Sequence, residues 1–199
     1  KQPWSNGNVG MFGPSYFTMV QKRVAALNPP SLKCVFAMYG LTDLYRDLDY
    51  HGGILHHNFR TRWILKLANL RFKNRMKDKL GDEEYQRRVQ GALADPEVMA
   101  IPALVDALRD PDKGRNVWIV EPLLFPQYSE FWQEWHAATQ GELKIPAYLG
   151  SCWGVYGIHL AGDMRSWEEW QGPKKFTVGP PIYLDRPVYQ YHYESLRWF

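Results

Sequence analysis

Cysteine is nearly missing from this chain: Cys34 and Cys152 are the only two among 199 residues. Two lone cysteines make no disulfide framework, and no Cys/His cluster has the spacing of metal ligands. Both lie in apolar, strand-like runs, so they read as free buried thiols and fit a reducing, cytoplasmic compartment. A bias of charge is missing as well, because 24 Lys+Arg against 21 Asp+Glu leave only +3. That is too slight to point to nucleic acid or an anionic membrane as a partner. No apolar run is long enough to span a bilayer, no signal peptide opens the sequence, and there is no internal repeat or low-complexity tract. What is abundant is aromatic: 15% of residues, with 9 Trp and 12 Tyr. Such a surplus suits a deep apolar pocket or a core rich in large rings.

The stretch Val9-Gly10-Met11-Phe12-Gly13-Pro14-Ser15-Tyr16 organises the rest. An apolar run meets Gly-x-Ser, and a helix follows with apolar residues at Tyr16, Val20, Val24 and Leu27. Strand, tight turn and helix in this order are the setting of a nucleophile elbow, which lifts a serine hydroxyl to the top of an α/β sheet. Gly13 supplies the small neighbour the cramped turn needs. The helix start then directs N–H groups and positive dipole toward a developing oxyanion. The plainer reading is a βα turn with an N-capping serine.

Downstream, Asn28-Pro29-Pro30 breaks the pattern and Leu32 to Tyr39 reads as a buried strand, with Asp43 at its carboxyl end. From Phe59 to about Gly141 there are helices and loops but no strand signal. Phe59, Trp63, Leu67 and Leu70 mark one face of a helix whose other face, from Arg60 to Lys79, is basic and reads as solvated. Asp82, Asp95-Pro96 and Pro102 mark helix starts, and Asp112–Asn116 a turn. Such an insertion between sheet strands would form a lid. The sheet resumes at Ile145–Trp153, a short helix follows from Met164 to Trp170, and the last strand is Lys174–Val178. The sequence therefore predicts an α/β fold: a core from 1–48 and 142–199, with a helical cap over 49–141. An elbow strand so near the first residue and a helix running into Phe199 read as an internal piece of a longer protein.

These residues resemble a known family. Asn6 to Tyr16, Ala26 to Lys33, Thr42-Asp43-Leu44-Tyr45-Arg46-Asp47 with His51-Gly52-Gly53, and the late Lys174–Pro180 and Leu196–Phe199 are similar to CocE/NonD hydrolases, cocaine-esterase-like relatives of X-prolyl dipeptidyl peptidases. The resemblance implies an α/β-hydrolase core with an inserted helical cap, no cofactor or metal, Ser15 as nucleophile and the Tyr16 backbone N–H as an oxyanion donor. A second donor would come from an earlier strand that this chain does not contain.

The family's acid falls in a Trp-x-Asp, where this chain has Trp153-Gly154-Val155, and its histidine falls past a Gly-Pro, where this chain reaches Tyr183. A serine still needs a base. His159 is the one histidine in a loop at the strand ends after the elbow, with Asp185 or alternatively Asp43 to orient it; triads are defined by geometry and not by chain order. Each has a plainer reading: His159 as a packed imidazole bonding a loop carbonyl, Asp43 as a cap or a partner of Arg46, Asp185 as a turn cap. The function expected is a serine hydrolase of a small ester or amide, with Trp63, Trp132, Trp135 and Trp153 as candidates for an apolar pocket. A homo-oligomer is left open. The alternative is an impaired or non-hydrolytic relative that binds, scaffolds or transfers acyl groups.

Overall fold

The computed structural model describes residues 2–64, 75–109, 117–179 and 187–199. It divides into two compact units, Lys1–Leu48 with Trp132–Phe199, and Asp49–Phe131. Residues 132–141, which the sequence reading places in the insertion, thus belong to the first unit.

The first unit is built on a parallel sheet of β1 (Val9–Phe12), β2 (Leu32–Met38), β5 (Ala147–Cys152) and β6 (Lys174–Gly179), in the order β1-β2-β5-β6. Consecutive apolar residues in β2 and β5 follow from burial on both faces, as parallel strands require. Side chains alternate. Val35 and Ala37 of β2 join Ala147, Leu149 and Trp170 on one face. Phe36 and Met38 join Tyr148, Cys152 and Val155 on the other, where Trp198 packs on them. Helix α1 (Tyr16–Ala26) links β1 to β2, and α6 (Ala161–Glu169) links β5 to β6. The Trp170 indole, fully buried, donates to the Ile145 carbonyl at 2.7 Å. The final helix, α7, runs from Pro187 to Trp198.

Helix α1 does not bury most of its apolar stripe. Tyr16, Val20 and Leu27 face outward, and the buried side is Thr18, Gln21, Lys22, Ala25 and Ala26. The buried set has helical spacing but begins with polar residues, because it meets polar groups at the ends of β1 and β2. The cysteines are both free, with Cys152 buried and Cys34 only half-buried.

The second unit opens with a hairpin. β3 (Tyr50–His51) pairs antiparallel with β4 (Ile54–Leu55). The intervening Gly52 and Gly53 have φ of 62° and 87°, the positive values a two-residue type I′ turn demands. Helices α2 (Arg75–Leu80), α3 (Asp82–Leu93), α4 (Pro102–Arg109) and α5 (Val117–Leu123) follow, with a short helix Pro96–Met99 before α4. Asp95 caps that short helix, its carboxylate accepting from the Glu97 N–H at 2.8 Å. Asp82 is the first residue of α3, with Gly81 ahead of it as the cap.

Among the described residues, the start of the predicted helix from Phe59 is an α turn at His57–Phe59 continued by a π-helical turn, Arg60–Ile64. Trp63 is half-exposed, while Leu67, Leu70 and the Asp112–Asn116 turn lie outside the described residues. Arg60, assigned above to a solvated basic face, is instead buried in an ion pair with Asp49. Burial pushes the Asp49 carboxyl pKa up against the pull of Arg60, so the guanidinium turns inward to compensate a charge removed from water.

Candidate active site

The geometry of the elbow is set at the carboxyl ends of β1 and β2. Gly13 has φ of 139°, and a Cβ there would lie 2.8 Å from the Phe17 Cβ. Ser15, the next residue but one, has φ 60° and ψ −120°, a conformation that L-residues avoid and that costs roughly 1–3 kcal/mol. Its side chain makes no capping bond to the helix it precedes, so the N-cap explanation of this serine does not hold. Among the described residues no hydrogen bond engages the Ser15 hydroxyl. Tyr16, the first residue of α1, presents its N–H at the positive end of the helix dipole. At the end of β2, Tyr39 also has a positive φ, 57°. Left-handed backbone at a bulky aromatic is a genuine outlier, and here it turns the chain away from the sheet beside the elbow.

The polar side of α1 meets these turns directly. The Gly13 carbonyl accepts from Thr18 Oγ1 and from Gln21 Nε2, each at 2.7 Å. Thr18 Oγ1 is also 2.5 Å from the Met38 carbonyl, which in turn accepts the Ser15 N–H at 3.3 Å. One turn further along, the fully buried Lys22 ammonium donates to Asp163 Oδ1 at 3.0 Å and Ser166 Oγ at 2.6 Å. Asp163 takes the Gly40 N–H on both oxygens, at 3.0 and 3.1 Å. A Cβ at Gly40 would sit 2.3 Å from Thr18 Cγ2 and 2.6 Å from Lys22 Nζ, so a larger residue would displace both. Burial raises the Asp163 carboxyl pKa to about 7, although Lys22, the Gly40 N–H and Ser151 draw it back.

His159 lies in the π-helical turn Tyr156–Leu160, which leads into α6. It is buried, and its imidazole is hydrogen-bonded to the backbone carbonyl of Gly40. Burial, and then the nearby Lys22 charge, lower its pKa to about 3. The imidazole is therefore held neutral. No hydrogen bond joins it to Ser15 among the described residues. Asp185 and Tyr183 lie outside the described residues.

Asp43 is buried, but its carboxylate receives the Arg46 N–H at 3.1 Å and the Arg46 guanidinium at 2.5 Å, and lies 3.7 Å from His136 Nδ1. Its partners are thus Arg46 and His136, and His159 is not one of them. Val155, in the family's acid position, packs into the apolar face shared with Tyr148. Of the four tryptophans proposed for a pocket, Trp132 is buried against Tyr45, while Trp63 and Trp153 are exposed. Trp135 stacks under the Arg23 guanidinium at 5.0 Å and, with Tyr16, Met19 and Val20, lines a small cleft along α1.

Two groups escaped the sequence reading. Lys22 and Asp163 are 141 positions apart, and only the helical spacing of Thr18, Lys22 and Ala25 hinted that Lys22 faces inward. His136 bonds Glu169 Oε1 through Nε2 at 2.8 Å, and this bond, helped by Asp43, raises its pKa. Among the described residues no group of His, Cys, Asp and Glu can hold a metal ion, and no helix is long and apolar enough to cross a membrane.

Comparison with known proteins agrees with this architecture. Cocaine esterase of Rhodococcus sp. (strain MB1 Bresler) is 27% identical over 157 residues, covering 77% of this chain and 27% of the esterase. A CocE/NonD family hydrolase from Staphylococcus aureus matches in one structure at 26% identity and TM-score 0.51, over 89% of this chain and 25% of that one. A second structure of such a hydrolase from the same species matches at 24% identity and TM-score 0.56, over 100% and 30% of the two chains, and shows the shared fold. The chain therefore spans little more than a quarter of the length of these relatives. Residues 1–182 match the model of the X-Pro dipeptidyl-peptidase (S15) family, and with its strained serine between a parallel strand and a helix the chain belongs to that family of α/β hydrolases.

Proposed function

We propose that the chain carries the nucleophile of a serine hydrolase, cleaving an ester or amide through an acyl-enzyme on Ser15. The observation behind this reading is the Ser15 backbone, φ 60° and ψ −120° at the junction of β1 and α1. Strain of this kind is retained where it aims a reactive group. In the reaction Ser15 Oγ bonds to the substrate carbonyl carbon and gives up its proton to a base. The oxyanion that forms is held by the Tyr16 N–H at the helix start. Collapse expels the alcohol or amine with that proton, and water then releases the acyl group.

His159 is the base we assign from the chain's own residues, with Asp185 as its acid, since the Asp43 carboxylate is taken up by Arg46 and His136. Two observations oppose that assignment and favour a catalytically impaired relative: the Gly40 bond of the imidazole and its low affinity for protons. An imidazole whose pKa is near 3 gives little driving force for taking a proton from serine at neutral pH. For His159 to act, the turn Tyr156–Leu160 must release it from Gly40. Intact-mass measurement after exposure to a fluorophosphonate tests both readings. An active elbow gains one phosphonyl adduct that Ser15→Ala abolishes, and His159→Ala slows labelling by roughly 100-fold or more if it is the base. Unchanged mass in the unsubstituted protein supports the impaired reading.

A further inference from the structure

Gln21 is buried, and its amide makes one described bond, from Nε2 to the Gly13 carbonyl at 2.7 Å. Its Oε1 is buried without a hydrogen-bond partner. An unpartnered buried carbonyl is a net cost, which a methionine or leucine of similar size would avoid. The glutamine is therefore a poor choice for stability alone. Thr18 behaves in a related way. Its single hydroxyl proton is shared between the carbonyls of Gly13 and Met38, at 2.7 and 2.5 Å, clipping the end of β1 to the end of β2. The Met38 carbonyl also receives the Ser15 N–H. These bonds converge on the turn that carries the strained serine, at the Gly13 carbonyl two residues before it and at the Met38 carbonyl that its N–H reaches, and they come from consecutive inward positions of the helix that Ser15 begins.

We infer that Gln21 and Thr18 are positioning residues for Ser15: their side chains fix the Gly13 peptide and thereby hold the serine in its φ 60° conformation. The kinetic consequence rests on the hydrolase reading above; the conformational one does not. Without Gln21 the Gly13 carbonyl keeps only the shared Thr18 proton, and Ser15 relaxes part of the time toward an ordinary conformer in which Oγ and the Tyr16 N–H no longer face one reacting carbonyl.

The test uses Gln21→Met, Thr18→Val and the conservative Thr18→Ser. Each is followed by thermal melting, by fluorophosphonate labelling resolved into reagent affinity and maximal rate, and by amide hydrogen exchange of Thr18 and Met19, whose N–H groups bond the Ser15 carbonyl at 2.9 and 3.1 Å. Gln21→Met should melt at the same temperature or higher while labelling about 10-fold more slowly, with reagent affinity unchanged. Thr18→Val should also label slowly, and Thr18→Ser should restore the rate. Exchange at Thr18 and Met19 should quicken in the slow variants. Labelling and exchange like those of the unsubstituted protein in folded Gln21→Met would overturn the inference. If the unsubstituted protein takes no label, the hydrolase reading fails. The exchange rates then decide positioning alone: faster exchange in Gln21→Met supports it, and unchanged exchange rejects it.

Discussion

The inward side of α1 is two surfaces in one helix. Its first turns present Thr18, Gln21 and Lys22 to backbone carbonyls and to Asp163, while its last turn presents Ala25 and Ala26 to Val35, Ala37, Leu149 and Trp170. The apolar end does what a crossover helix ordinarily does, burying area against the sheet. The polar end sits where the parallel strands stop and their last carbonyls and N–H groups need partners. An α/β sheet keeps its chemistry at that end, and here the requirement extends into the helix itself. Rigid apolar packing supports one end, and directed bonds shape the other.

The largest effects should come from breaking either end. Trp170→Ala empties a fully buried site and should cost about 3–5 kcal/mol in urea denaturation. Lys22→Met leaves the Asp163 carboxyl buried without its cation and should cost a comparable 3–5 kcal/mol or so. The two ends differ in how they are repaired. Adding Asp163→Asn to Lys22→Met should recover much of the loss, because the uncompensated charge is gone, whereas no charge change repairs Trp170→Ala. A double variant no more stable than Lys22→Met would show that the polar end works by packing after all.

A smaller effect separates the ends by pH. His159 has a folded pKa of about 3 against an ordinary histidine's 6.5, so its contribution to stability is present above 6.5 and lost as pH falls toward 3. Asp163 is raised from 3.8 to about 7, so its contribution is present below 3.8 and lost as pH rises through 7. The two slopes oppose each other between roughly pH 4 and 6.5. Relative to the unsubstituted protein, His159→Asn should therefore lose stability as pH rises across that window. Asp163→Asn should gain stability with rising pH. Guanidinium denaturation at a series of pH values reads both slopes, and parallel curves for all three proteins would contradict the opposed shifts. Trp170→Ala should leave the pH dependence unchanged.

Much of the sheet was legible in the sequence because β2 and β5 are runs of apolar residues bounded by Gly and Pro, which parallel burial requires. The elbow was legible for the same kind of reason: Gly13 and Ser15 have few alternatives in so tight a turn. The orientation of α1 was not. Tyr16, Val20, Val24 and Leu27 repeat at helical spacing and look like a core stripe, while the true inward stripe hides behind polar residue types whose partners are remote in sequence. His159 was legible as a histidine at the strand ends, and its plainer reading as a packed imidazole on a loop carbonyl is the one the structure shows; the identity of its surroundings was not legible. Its state depends on Gly40 and Lys22, neither of which is near it in the chain. The hairpin at Gly52-Gly53 was missed although the residues were noted, since strands of two residues carry no alternation to detect.

The smallest effect is on the serine itself. Ser15→Gly removes the side chain that makes φ 60° costly and should stabilise the protein by about 1 kcal/mol, seen as a rise in melting temperature. No such gain is expected at Ala25, where the backbone is ordinary helix.

The most direct measurement of the central claim is the intact mass of the protein after reaction with a fluorophosphonate, beside Ser15→Ala treated identically. A single phosphonyl adduct is expected in the unsubstituted protein and none in Ser15→Ala. No adduct in either, or equal adducts in both, would contradict it.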